Sequence, residues 1–334
     1  MSIAPFPLAL ATLTTLAMLD SGLVRAESTA KGPEQSFPNK SLHIIVGQTG
    51  GSVSDMIAHM LAKRFTESFK QYAIVENHAG EAGSVGARLV VRAPPDGYTL
   101  LLSSAGPIVI NPLLRRKLDY DPARALVPIG FLATSPLLLV AHPSVPVANV
   151  KELIAFAKKH PDRLRYGAGE KGTPSHLTAE LFKSMAGTRM VHVPFSGSAP
   201  SVDALMSARV DLSFATIPIV LPELTMSRLH ALAVTSPQRS ATVPHIPTIA
   251  EAGLPGFESQ QWFALFGPAA MPQNVIHKLN GEILHWLRSP ELRKRLAAEG
   301  AEPGNLSLEQ FTTFIRTDAA RWSKVIKASG ATVD

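Results

Sequence analysis

The sequence contains no cysteine, which removes disulfides, thiolate zinc sites and cysteine nucleophiles together and leaves the compartment open. Aromatic residues are 6% and charged residues 17% of 334 positions. With 46% apolar residues, that balance excludes a mostly disordered chain and leaves room for two lobes of ordinary domain size. After the N-terminal segment no apolar run approaches the roughly 18–20 residues of a membrane-spanning helix. There is no G-x-S-x-G elbow and no H-E-x-x-H motif, so catalytic constellations are missing and the chain is not expected to be an enzyme. A net charge of +6 rests on scattered groups such as Arg115, Arg116 and Lys117, Lys158 and Lys159, and Arg293, Lys294 and Arg295. Without clustering or interleaved aromatics these are solvated helix faces, and no nucleic-acid partner is expected.

Residues 1–26 differ from the rest. Pro5 to Leu19 is mainly apolar but too short to span a bilayer, and Val24-Arg25-Ala26 suits a cleavage site. The segment reads as a secretory signal peptide, with 27–36 as a polar tether, and it places the mature chain in the periplasm. An unstructured tail is the alternative, because no Lys or Arg precedes the apolar run.

Strand and helix patterns then alternate. Strands are expected near 42–46, 72–76, 98–102 and 137–141, with helices at 53–69 and 84–92 and a long connection over 111–136. The series restarts with helix 150–159, strand 164–167, helix 174–186, strand 190–193, helix 199–207 and strands 210–214 and 229–235. Residues 262–266 and helices near 273–287, 290–299 and 308–329 follow. This is an α/β pattern of two doubly wound series, whose ligands bind where strands end.

The strand ends are rich in glycine and serine. Gly47-Gln48-Thr49-Gly50-Gly51-Ser52 precedes a helix that Ser52 caps while Asp55, at N3, reaches back. It lacks the Walker lysine, so phosphate transfer is not expected. Gly167-Ala168-Gly169-Glu170-Lys171-Gly172 matches G-x-G-x-x-G, with Thr173 as cap and Pro174 at the first helical position. No carboxylate ends the next strand, so NAD is not expected and no cofactor is implied. Ser103-Ser104-Ala105-Gly106 and Phe195-Ser196-Gly197-Ser198 are further polar turns. Such helix starts hold anions by backbone N–H and hydroxyl groups; the simpler reading is a well-capped turn. His176 is a packing or hydrogen-bonding residue before it is a base. Trp262 and Phe263 suit either a cleft or the core, and Trp286 and Trp322 suit packing.

Taken together, GGSVSD at 50–55, VENHAGEAGSVGARLVVRAPPDGYTLL at 75–101, YGAGEKGTPSHLTAELFKSMAG at 166–187, VHVPFSGSAPSVDAL at 191–205 and PTIAEAGLPGFE at 247–258 resemble the Bug receptors. These are extracytoplasmic solute-binding proteins of tripartite tricarboxylate transporters. The resemblance implies a type II periplasmic binding protein fold, with two lobes joined by crossing strands and a cleft between them that closes like a Venus flytrap. It places one lobe at 37–139 plus 262–334 and the other at 140–261. It implies a monomer binding a small carboxylate and delivering it to permease subunits, or else docking to a membrane sensor protein. By the same resemblance the ligand is held by Thr49, Gly50, Gly51, Ser52 and Asp55 from the first loop, to which Gln48 adds a side-chain amide of this chain's own. The second loop contributes Gly169, Lys171, Gly172, Thr173 and His176, with Ser104 and Ser198 as further candidates. The chain departs from the family at Gln48 and Thr49, and at Ala215 where an aspartate is common.

Overall fold

The computed structural model describes residues 37–115 and 118–329; the signal peptide, the tether, Arg116 and Lys117 lie outside the described residues. The run Leu42–Val46 forms β1, apolar except at half-buried His43, and that character follows from burial in a parallel sheet. Val53–Phe69 forms α1, whose Ile57, Ala58, Leu61, Ala62 and Phe65 turn one stripe to that sheet. Ala73–Asn77 (β2) and Thr99–Ser104 (β3) flank β1, both parallel to it. Between them stand a short left-handed turn at Glu81–Gly83 and helix α2, Ser84–Val91.

The expected connection over 111–136 is largely structured. A π-helical turn at Gly106–Ile110 runs into two four-residue helices, Asn111–Leu114 (α3) and Pro122–Ala125 (α4). From Leu126 to Ala141 the chain is then a single 16-residue strand, β4. Pro128, Gly130 and Pro136 hide this strand from a pattern reading, since both residue types normally break strands. Register shifts at Pro128/Gly130 and Phe131/Ala133 accommodate Pro128 and Gly130, while Pro136 stays in register opposite Gln260.

β4 belongs to two sheet regions. Its first part pairs antiparallel with Gln260–Pro268 (β9), which also pairs antiparallel with β3. Its last part, Leu137 to Ala141, pairs antiparallel with Leu212–Thr216 (β7) and with His230–Val234 (β8). Arg165–Gly169 (β5) joins β7 and Val191–Phe195 (β6), both parallel. The sheets are therefore mixed: each set of parallel strands abuts antiparallel strands that cross between regions. A two-residue strand, Glu302–Pro303 (β10), adds to β4.

Helices cover the second region as expected: Val150–Lys159 (α5), Pro174–Ala186 (α6) and Ser198–Met206 (α7). Ile217–Thr225 forms an unanticipated helix, α8, whose Pro218 sits in the first turn where its missing N–H costs nothing. Gln273–Trp286 (α9), Pro290–Ala298 (α10) and Leu308–Ser329 (α11) complete the chain. α11 packs on β4, on the π-helical turn and on α6, so it touches elements of both regions. Its anchor is Asp318, 3% exposed, which accepts a 3.0 Å bond from the indole Nε1 of buried Trp262.

Two crossings meet at one threonine. Thr235 is fully buried; its N–H donates to the Leu137 carbonyl, and its Oγ1 accepts from the Leu137 N–H at 2.8 Å. Its carbonyl accepts from the Ser259 N–H, just before β9 begins. Among the described residues no helix is long and apolar enough to cross a membrane.

Candidate functional site

At this crossing a cleft of about 650 Å³ opens between the ends of β1, β3 and β5. One wall is the loop after β1. Ser52 caps α1 by accepting from the Asp55 N–H at 3.2 Å. The Asp55 carboxylate reaches back, but to the N–H of Gly51 rather than that of Ser52, at 2.9 Å. Asn77, at the end of β2, donates to the other Asp55 oxygen at 2.9 Å and to the Gln48 carbonyl at 3.1 Å. Burial alone would raise the Asp55 carboxyl, but the Gly51 N–H, the Asn77 amide and His59 outweigh it and hold it below its ordinary value. Asp55 is thus a buried strut: Gln48, Thr49 and Ser52 face the cleft, while Asp55, Gly50 and Gly51 do not line it.

A second wall was not anticipated as a site. Gly80, Glu81, Ala82 and Gly83 all have positive φ, at 137°, 48°, 51° and 92°. Non-glycine residues held there cost roughly 1–3 kcal/mol each, and the surroundings must enforce it. The enforcer is Asn111, 4% exposed, whose Nδ2 reaches the carbonyls of Glu81 and Ala82 and the Ser84 Oγ, the last at 2.8 Å. Arg88 grips the Glu81 carboxylate from outside with bonds of 2.7 and 2.9 Å. Ala79, Gly80, Ala82 and Gly83 face the cleft, as do Ser104 and Asn111. This turn lies against the first loop so closely that a Cβ on Gly47 would sit 2.6 Å from the Gly83 carbonyl oxygen. The sequence signal for this wall is the glycine-rich stretch at 79–86, inside the 75–101 segment that resembles the Bug receptors.

The facing wall is the start of α6, where Lys171, Gly172, Thr173 and Pro174 line the cleft. Pro174 stands at the first helical position as expected. Thr173 occupies the cap position, yet its hydroxyl donates to the Glu170 carbonyl at 2.7 Å and no side-chain cap bond forms. Gly169 is turned away: its N–H donates to the Ser175 Oγ and its carbonyl contacts His192 Nε2. His176 is 4% exposed beneath the loop and lies outside the lining. Ser198 and Ala215 also lie away from the lining; Ala215 is fully buried in β7, opposite Leu138.

The floor comes from the crossing strands. Ser259, Gln260 and Gln261 line it, as does Thr178, whose Oγ1 lies 2.6 Å from the Ser259 Oγ. Apolar lining comes from Ile110, Leu114, Leu137, Leu177, Phe263 and Trp322. Phe263 therefore belongs to the cleft, Trp262 to the core, and Trp322 to both. Arg115 and Lys171 line the cleft, and among the described residues no aspartate or glutamate does. Chemically this is a recess with two cations, hydroxyl and amide groups and an apolar side, suited to holding a small anion rather than transforming it. Among the described residues no cluster of metal-ligating side chains occurs.

Known proteins share this chain's sequence pattern and fold. BugT of Bordetella pertussis is 32% identical over 95% of this chain and 97% of its own length. The R. palustris protein Rpa4515, solved with adipate, is 36% identical with a TM-score of 0.73, over 89% of this chain and 100% of that one. MatC from Rhodopseudomonas palustris, solved with bound malate, is 28% identical with a TM-score of 0.68, over 87% and 100%. The model of the tripartite tricarboxylate transporter family receptor matches residues 57–331. That family consists of solute-binding receptors, not enzymes. With a two-lobed α/β fold, a cleft at its crossing strands and that match over most of its length, this chain belongs to the tripartite tricarboxylate transporter receptor family.

Proposed function

We propose that the protein is an exported receptor that captures a small organic acid in this cleft and passes it to the membrane permease of a tripartite transporter. The observation that carries this reading is the charge of the cleft, with Arg115 and Lys171 in its lining and no carboxylate among the described residues there. An acid entering it meets Arg115 and Lys171 with no lining carboxylate to displace; Glu81, outside the lining, is the charge that acts on Arg115. Hydroxyls of Thr49, Ser52 and Ser104 and the Gln48 amide supply directional bonds. The apolar side accommodates a hydrocarbon body. The adipate and malate found in two relatives support the same class. Residues 1–26 are the export signal in this reading, and 37–139 with 262–334 form one lobe against 140–261. The acid bridges both lobes and so favours the closed form over the open one.

Calorimetry with adipate, malate and the uncharged adipamide tests the reading. The acids are expected to bind and the diamide to bind at least tenfold more weakly. Lys171→Gln should weaken the acids by about 10- to 150-fold, as loss of one charge-assisted contact of roughly 1.5–3 kcal/mol implies. Preference for the diamide, or indifference of the acids to Lys171→Gln, overturns it.

A further inference from the structure

His176 lies under the cleft loop with its Nδ1 3.2 Å from the Gly172 nitrogen, and the direction of that bond is fixed by chemistry. The backbone N–H can only donate, so Nδ1 must carry a lone pair and the neutral ring must hold its proton on Nε2. Gly172, at φ +85°, stands between Lys171 and Thr173, both of which line the cleft. We propose that His176 is a positioning residue of the anion site: its Nδ1 lone pair holds the Gly172 peptide in the orientation that turns Lys171 and Thr173 toward the ligand. The inference rests on the cleft being an anion site.

The surroundings keep that lone pair unprotonated. The ring is 4% exposed and lies 4.5 Å, centroid to centroid, from His192 on β6, which in turn stacks on Tyr166 of β5 at 5.1 Å. Burial, aided by His192, Lys183 and Lys171, lowers the His176 pKa to about 4. Glu180, one turn along α6, is the opposing group, with Oε1 3.8 Å from His176 Nε2. That carboxylate is already engaged, accepting from the Tyr166 hydroxyl at 2.6 Å and from Lys183 Nζ at 2.7 Å. Protonation of Nδ1 would set an N–H against the Gly172 N–H. Two donors cannot share that contact, so the peptide must turn.

A simple charge partner would behave oppositely. There, protonation of His176 adds a cation beneath the anion and strengthens binding. A positioning role makes protonation weaken it. The sign of the pH effect therefore decides between them.

Two measurements test this on the mature full-length protein. Nitrogen-15 NMR without ligand should show His176 as the Nε2–H tautomer, with the Gly172 amide resonance following a titration near pH 4. In His176→Asn, whose side-chain oxygen replaces the Nδ1 acceptor, that titration should vanish. Calorimetry with adipate at pH 7 should give His176→Asn within about threefold of the parent, and His176→Phe about tenfold weaker with its fold intact by NMR. The ratio of His176→Asn to parent affinity cancels protonation of adipate itself and should rise about twofold by pH 4, where half the parent imidazole is charged. A Gly172 amide blind to His176, or parent affinity rising relative to His176→Asn as pH falls, overturns the proposal. Absence of adipate binding to the parent at pH 7 counts against adipate as ligand, and the NMR titration then decides the positioning role alone.

Discussion

Gly47 shows how one residue without a side chain sets the shape of a site. Its Cα lies where the loop after β1 meets the left-handed turn at 80–83, and a Cβ on Gly86 would likewise approach Gly47 Cα to 2.9 Å. Those neighbours are backbone atoms, which cannot swing aside as a flexible side chain does. Gly47→Ala is therefore expected to cost about 1–3 kcal/mol as an overpacking change. It should also weaken acid binding, because both cleft walls must part to admit the methyl group. Thermal unfolding and calorimetry on the same variant check the two effects; a variant of unchanged stability and affinity contradicts the close packing. Asp55 teaches the complementary lesson. Its spacing from Ser52 made it legible as a helix-start residue, but only the fold shows that its partners are Gly51 and Asn77. Asn77 is 22 residues away, and no local pattern contains that distance.

Elements were legible where one periodicity ran without interruption. β1, α1, α5, α6 and α11 lie within a residue or two of their expected bounds because burial on one face or both imposes a regular apolar pattern. The first part of β4, residues 126–136, and α8 were missed for the same reason in reverse, since prolines at 128, 136, 218 and 222 interrupt them. Pro218 sits in the first turn of α8 and Pro222 inside it, while Pro128 is accommodated by a register shift and Pro136 pairs with Gln260, both against β9, a neighbour distant in sequence. Thr235 depends on such neighbours as well, clasping Leu137 on β4 and Ser259 ahead of β9. Thr235→Val keeps the shape but leaves the buried Leu137 N–H without its Oγ1 acceptor, at a cost of about 1–3 kcal/mol. Denaturant titration measures that loss. Acid affinity is expected to shift as well, since Leu137 and Ser259 both line the cleft; an unchanged unfolding midpoint contradicts the clasp.

At the scale of the molecule, the two sheet regions are not independent bodies. One continuous cluster of buried side chains includes Ile45, Leu101 and Ile108 from the first region and Leu153, Tyr166 and Phe182 from the second. Trp262, Phe311 and Trp322 belong to the same cluster. The two alternating series were visible in sequence; their shared core was not, because α11 closes it from the far end of the chain. That placement gives the receptor a built-in optical probe. Of its three tryptophans, Trp262 is sealed beside Asp318 and Trp286 lies in the core under β1 and β9, whereas Trp322 alone faces the cleft. Intrinsic fluorescence should therefore respond to bound acid through Trp322, and Trp322→Phe should silence the response while calorimetry still registers binding. The C-terminal helix makes occupancy of this receptor readable in its own emission spectrum, without a label.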